Sequence, residues 1–379
     1  MNNVEYLRIE HFGPIQFVEL EDIRPFTILI GESGSGKSTI MKVLSMFRWI
    51  YKRVVLRSYV RQANIKKTGI GIQWKTLLKT SELDEYYQSN TVIVYRRNDY
   101  QIEFSKGKLN ARASITPEKL SLEKICYISD KRSMIPDFLH NKMEKRIAGF
   151  YLQDTMDNFL SATSEIKSFS LDCLGVDFKV VKTSSGTRYQ IHGKNTDEFS
   201  INLKNASSGT QTVTPLSLIV EYYARYFDPK KAMDSSLFRY MADVDDLKNF
   251  NTAKNIGDIE DKNVHIMIEE PELSLYPESQ IALTDFLIHR CFLTAHNYRI
   301  SLMLATHSPY IVNYLNLVMR RSENSTDFSH IKMSGSDINV YMIESGRAIP
   351  LKIGGEHTLI DTRTLSDPIS EIYKQYNQL

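Results

Sequence analysis

Apolar runs set off by turn signals give the chain its first outline. Tyr6-Leu7-Arg8-Ile9-Glu10 and Ile15-Gln16-Phe17-Val18-Glu19-Leu20 read as two strands, with His11-Phe12-Gly13-Pro14 as the turn between them. Phe26-Thr27-Ile28-Leu29-Ile30 is continuously apolar and predicts a buried strand. Residues 38–63 predict a long helix with room for one break. Residues 91–97 and 100–104 flank Asn98-Asp99, a hairpin signal, and residues 124–129 form another short buried strand. From 135 to about 169 the period turns helical. Leu139, Met143, Ile147 and Tyr151 recur at spacing four, and Phe150, Met156, Phe159 and Leu160 continue the stripe. Residues 178–181 and 189–192 predict a second hairpin around Ser184-Ser185-Gly186. Residues 229–262 are polar and acid-leaning and read as an excursion between core elements. Residues 337–343 and 348–351 predict a closing hairpin. Residues 366–376 predict a final helix with Ile369, Ile372 and Tyr373 on its apolar face.

One loop changes the picture. Gly31-Glu32-Ser33-Gly34-Ser35-Gly36-Lys37-Ser38-Thr39 fits G-x-x-x-x-G-K-[ST] and stands between a predicted strand and a predicted helix. In that setting backbone N–H groups turn inward around phosphates, and the helix start adds its positive end. The motif assigns Lys37 to the β- and γ-phosphates of a nucleoside triphosphate and the Ser38 hydroxyl to Mg2+.

Two more apolar strands end in chemistry. Val264-His265-Ile266-Met267-Ile268 runs into Glu269-Glu270-Pro271-Glu272. Adjacent carboxylates at the end of a buried strand need a cationic partner, and Mg2+ beside the phosphates supplies one. Glu269 is expected to bind the metal through its water shell, and Glu270 to orient and polarise an attacking water. Ile300-Ser301-Leu302-Met303-Leu304-Ala305 ends in Thr306-His307-Ser308-Pro309. Strand carboxyl ends are where α/β sheets place ligands, so His307 is expected at the γ-phosphate or the water. Asn205-Ala206-Ser207-Ser208-Gly209-Thr210-Gln211 precedes a helical run; taken alone it reads as an ordinary N-cap.

Composition narrows the class. The 379 residues are 42% hydrophobic and 24% charged, ordinary for a soluble globular chain. No apolar run nears the ~18 residues of a membrane span. The start, Met1-Asn2-Asn3-Val4-Glu5-Tyr6, lacks a secretory signal. Cys126, Cys173 and Cys291 lack metal-ligand spacing and fit reduced cysteines in a cytoplasmic protein. The net charge of +2 is uneven, because residues 42–79 hold ten basic residues and no acidic one. Trp49, Tyr51, Tyr59 and Trp74 sit among them. Such a segment is the footprint of a phosphate-backbone surface and makes nucleic acid a candidate partner; an acidic protein or a solvated helix face would also account for it.

Together these motifs resemble the ABC-type ATPases. GESGSGKST matches Walker A, and ASSGTQ resembles the signature loop, more often written with Leu-Ser-Gly-Gly-Gln. IMIEEPELSLYP resembles Walker B plus the D-loop, and LATHSPY the switch-histidine strand. Their order is the family's order. The opening, LRIEHFGPIQFVEL, resembles the RecF/SMC/OLD-like branch. The resemblance implies an α/β ABC-ATPase head over 1–379, a P-loop mixed sheet flanked by helices. Its nucleotide-binding core would be 1–132 and 201–379, and 133–200 an inserted helical subdomain on the signature side. It also implies an ATP- and Mg2+-dependent ATPase whose heads pair, as a homodimer or higher even oligomer, around two ATP molecules. Gly31, Ser33, Gly34, Ser35, Gly36, Lys37, Ser38, Thr39, Glu269, Glu270 and His307 of one copy would then face Ser207, Ser208 and Gly209 of the other.

Glu269 stands where the family usually has aspartate, and Ser208 and Thr210 depart from the signature pattern. Gln73 is a candidate for the Q-loop glutamine, and Arg132 for a further residue near the nucleotide. The chain looks like the ATPase subunits of bacterial anti-phage modules such as Septu and PARIS, which makes a separate nuclease or toxin the expected effector. The alternatives are a RecF-like DNA-maintenance ATPase and a nucleotide-gated binding module without turnover.

Overall fold

The first strands form where expected. In the computed structural model β1 is Glu5–Phe12 and β2 Ile15–Leu20, paired antiparallel with Ile9 opposite Val18. The structure describes residues 5–63, 71–111, 114–141, 143, 148–184, 186–194, 199–241, 258–324, 336–353, 359–363, 371–372 and 374–376. β3 is Phe26–Ile30, buried at all five positions. The following helix α1, Lys37–Gln62, is one unbroken run of 26 residues, so the optional break does not occur. α2 is Trp74–Thr80. The hairpin signal at Asn98-Asp99 joins β4, Tyr87–Arg97, to β5, Tyr100–Ser105, and β6, Lys108–Asn110, extends that ribbon. β7 is Ser121–Ile128.

The spacing-four stripe does not make one helix. Its first part is α3, Ile135–His140, with Pro136 in the first turn; its second is α4, Phe150–Glu165, opened by Gly149 in an extended conformation. Met143 falls between the two and is 42% exposed, and Ile147 lies outside the described residues. Nor is 133–200 wholly helical. β8, Ser168–Leu171, β9, Val176–Thr183, and β10, Gly186–Gly193, join β11, Ser200–Asn202, in a four-stranded antiparallel sheet. Phe178 and Ile191 pair across it and turn into the core beside Phe159 of α4.

α5, Ser208–Arg225, and α6, Pro229–Met241, follow; residues 242–257 of the expected acidic excursion lie outside the described residues. β12, Asp261–Glu269, α7, Pro277–Ile288, β13, Arg299–Thr306, and α8, Pro309–Asn324, complete the alternation. β14, Ile338–Glu344, and β15, Arg347–Pro350, form the closing hairpin. Most of the expected final helix lies outside the described residues.

The large sheet has eleven strands in the order β6-β5-β4-β1-β2-β15-β14-β3-β13-β12-β7. β14, β3, β13, β12 and β7 run parallel, so their carboxyl ends meet at one edge. The period of two then divides the core. Leu29, Met267, Met303 and Tyr127 face α1, whereas Ile28, Ile268, Leu304 and Ile128 face the layer of α4, α5, α7 and α8. This is the expected α/β class: a P-loop in a mixed sheet flanked by helices. Among the described residues no helix is long and apolar enough to cross a membrane.

Candidate functional site

The P-loop connects β3 to α1. Gly31 and Gly36 adopt φ of +154° and +107°. A Cβ on Gly31 would stand 2.3 Å from the Ile343 carbonyl oxygen of β14, so only glycine fits. Lys37 is buried, and its Nζ donates to the carbonyls of Gly31 and Glu32 at 2.8 Å each, with Ser35 Oγ at 3.5 Å. Burial lowers its pKa despite the pull of Glu270 and Glu272. Ser33, Gly34 and Ser38 are exposed and Thr39 is buried. Gly36 offers α1 no capping side chain, and the first turn carries no acid. The N–H groups there are therefore available to an anion.

Glu269 ends β12 on the face that meets α1 and is 4% exposed. Burial, then the nearby Asp130, raises its pKa, while a hydrogen bond from Ser38 opposes the rise. Tyr127 of β7 shares that face, and its buried hydroxyl beside Glu269 lacks a partner of hydrogen-bond geometry. Among the described residues no group of three or more His, Cys, Asp or Glu could hold a metal alone. A carboxylate, an alcohol and an orphaned phenol nonetheless suit a hard cation that takes its other ligands from phosphate and water. The residues fit Mg2+, with Ser38 and Glu269 as the ones that could hold it.

Glu270 is held in the left-handed region, φ +42°, and its N–H donates to the Ala305 carbonyl at 2.8 Å. Its Oε1 lies 3.5 Å from His307 Nε2, and both side chains are about a third exposed. The two predicted residues are thus brought together at the mouth of the site. Glu272 was visible only as the last acid of the run. Its Oε1 accepts the His307 N–H at 2.6 Å, and so fixes the end of β13 against the turn after β12.

Arg132 does not reach toward phosphates. It is fully buried and donates to four carbonyls: Ser129 at 3.2 Å, Thr212 at 3.1 Å, Glu269 at 2.7 Å and Glu270 at 2.6 Å. Burial lowers its pKa to about 10. Gln73 sits before α2, accepts from Thr76 at 3.3 Å, and makes no hydrogen bond to the P-loop or β12.

Ser207 caps α5, its Oγ accepting the Thr210 N–H at 3.3 Å. Gly209 is buried, and a Cβ there would lie 2.8 Å from the Ser274 carbonyl oxygen. Ser207 and Ser208 are exposed. Among the described residues no hydrogen bond joins this corner to the P-loop of the same chain.

The basic segment is largely absorbed by the fold. Arg48 is buried, with Nε and Nη2 on the Glu5 carboxylate at 2.8 and 2.7 Å. Arg57 donates to the Ala111 carbonyl, Lys42 pairs with Glu82 at 3.5 Å, and Arg53 covers Trp49 at 4.6 Å. Tyr51 and Tyr59 are core residues, and Trp74 stacks on Phe104 at 3.9 Å. Arg61, Lys75 and Lys79 are exposed; Lys66 and Lys67 lie outside the described residues.

Residues 152–312 match the AAA ATPase domain family. The matched stretch holds the Ser207 corner, Glu269, Glu270 and His307, and the P-loop precedes it. No curated protein matches the chain. Among solved structures the chain is similar to an SMC head bound to the C-winged helix domain of ScpA, at 12% identity and TM-score 0.39 over 93% of this chain and 98% of that one. It is similar to the SMC head domain from Thermotoga maritima, at 11% identity and TM-score 0.36 over 94% and 100%. It is also similar to cbiO1 of Clostridium perfringens, part of the ABC transporter complex cbiONQ, at 12% identity and TM-score 0.32 over 99% and 95%. Scores this low leave the reading of the site to its own geometry.

Proposed function

We propose that the chain binds and hydrolyses ATP at a site completed by a second copy. One observation carries the reading. The P-loop, Glu269, Glu270 and His307 meet at one sheet edge, whereas among the described residues no bond joins the exposed corner of Ser207 and Ser208 to them. The N-terminus of an 18-residue helix has N–H groups to offer a phosphate. A γ-phosphate held by both surfaces would link two copies, and its loss would part them.

The residues act as follows. Phosphate entry draws the Lys37 ammonium away from the Gly31 and Glu32 carbonyls that now hold it. The N–H groups at the start of α1 donate to the phosphates beside it. Ser38 and Glu269 are the residues that would hold Mg2+, which would supply positive charge against the phosphates. Glu270 orients the attacking water and accepts its proton, and His307, 3.5 Å from that carboxylate, lies where it can meet the γ-phosphate.

Glu270→Gln should keep ATP binding, stop turnover and trap an ATP-dependent dimer or higher even oligomer. Size-exclusion with light scattering, with and without ATP, reads this directly; a monomer under both conditions refutes the shared site.

The resemblance of the motif set supports a finer reading, in which this ATPase is a cytoplasmic, nucleotide-gated sensor or scaffold for a separate nuclease or toxin in anti-phage defence. Pulldown from the native operon with the Glu270→Gln variant should recover that effector. Recovery of no partner in either nucleotide state counts against it. Exposed Arg61, Lys75 and Lys79 support a second reading with nucleic acid as ligand.

A further inference from the structure

We infer that Arg132 is a positioning residue that sets the Glu270 carboxylate for attack and makes that setting depend on the first turn of α5. The inference rests on the ATPase reading above.

Glu270 sits in a strained backbone conformation. A non-glycine residue at φ +42° lies in a sparsely populated region and persists there only where its surroundings hold it. Two bonds do so. The Glu270 N–H is fixed by the Ala305 carbonyl at 2.8 Å, and its carbonyl by Arg132 Nη2 at 2.6 Å. Arg132 Nη1 holds the preceding carbonyl, that of Glu269, at 2.7 Å. The backbone of both acidic residues is therefore pinned by one guanidinium.

The other side of the same group holds α5. Arg132 Nε donates to the Thr212 carbonyl at 3.1 Å. The Thr212 hydroxyl lies 3.0 Å from the Leu273 carbonyl oxygen and 2.9 Å from that of Gly209. A closed loop results: Glu270, Arg132, Thr212, Leu273, and back to Glu270 through the Leu273 N–H at 3.1 Å. The corner at Ser207 and Ser208 is the start of the same helix. A shift of that corner is thus transmitted to the backbone of Glu270 without touching the P-loop.

Only arginine does this. Its planar fork spreads its donors over carbonyls from three elements, while lysine offers a single nitrogen. Arg132 is fully buried, so its cation is matched here by carbonyl dipoles and by nearby Glu272 and Asp130.

The test compares Arg132→Lys and Thr212→Val with the native full-length chain. Thr212→Val removes the hydroxyl link between α5 and Leu273 at nearly constant volume while leaving every Arg132 bond in place, so it tests the dependence on α5 by itself if Arg132→Lys fails to fold. Expected are unchanged ATP affinity within twofold, unchanged KM, and kcat lower by roughly tenfold to a hundredfold, as for a misplaced catalytic group. Hydrogen exchange at the amides of residues 270–275 should rise in both variants, while that of 31–39 stays constant. Unaltered kcat in both variants, or kcat and ATP affinity falling together with native exchange at 270–275, overturns the inference. If the native chain binds ATP without turnover, the ATPase reading fails, and the exchange measurement still decides whether the loop exists.

Discussion

Replacing Arg48 by methionine should destabilise the fold rather than weaken any surface contact. Glu5, 6% exposed, accepts two hydrogen bonds from Arg48 and one from Tyr95 at 2.7 Å, and the next cation, Arg97, is 3.9 Å away. Removing Arg48 strands a buried carboxylate, and breaking such a pair costs about 3–5 kcal/mol. Unfolding entropy of ~2.1 cal/mol/K per residue over this chain gives ~0.8 kcal/mol/K, so the melting temperature should fall by about 4–6 °C. Adding Glu5→Gln should recover part of the loss, because the stranded carboxylate is then neutral while Arg97 keeps Glu123 at 3.3 Å. The pH dependence has a definite sign. Burial alone would raise the Glu5 pKa, but the Arg48 charge and hydrogen bonds hold it far below its usual 4.5. The native chain therefore has this stabilisation in full above 4.5 and loses it as pH falls below that value, and the deficit of Arg48→Met narrows in acid. Calorimetry from pH 7 down through 4.5 to about 2 measures both effects. An unchanged melting temperature with lost nucleic-acid affinity would refute the structural role and return Arg48 to the surface reading.

Other outcomes follow from the same geometry. Lys37→Ala should weaken nucleotide binding by titration calorimetry while leaving the melt near native, since the lysine's present partners are backbone carbonyls that water can serve. Glu270→Gln should lower turnover by about a hundredfold or more with ATP affinity retained; loss of affinity instead would place this carboxylate on the nucleotide. Gly31→Ala should disrupt the P-loop, because the new Cβ would meet the Ile343 oxygen at 2.3 Å, and its ATP affinity should fall even in protein that folds. Reversing Arg61, Lys75 and Lys79 to glutamate should flatten the salt dependence of any nucleic-acid binding by about one phosphate contact per residue; an identical slope would remove these residues from the interface.

The sequence by itself determined the chemistry and its local setting. G-x-x-x-x-G-K-S demands a turn that glycines make, and the apolar runs before it and before Glu269 and His307 read as buried strands. These signals are local, so they survive without knowledge of the fold, and the P-loop strand at 26–30 agrees to the residue. The tertiary structure alone decided which charges were chemistry and which were scaffold. Arg48 belongs to a basic, aromatic-rich stretch, yet its partner Glu5 is 43 residues away. Arg132 looked like a nucleotide contact, but the carbonyls it grips come from residues 80 and 137 positions later. The closing hairpin was legible, but not its place between β2 and β3, where it packs against Gly31. The stripe at 139–151 had helical spacing throughout, yet one helix ends at His140 and the next starts at Phe150 behind an extended Gly149. A charge declares its role only through its partner. Where that partner is distant in sequence, burial, the cost of leaving a charge unpaired and the reach of the fold assign the role, and none of these is written in local spacing.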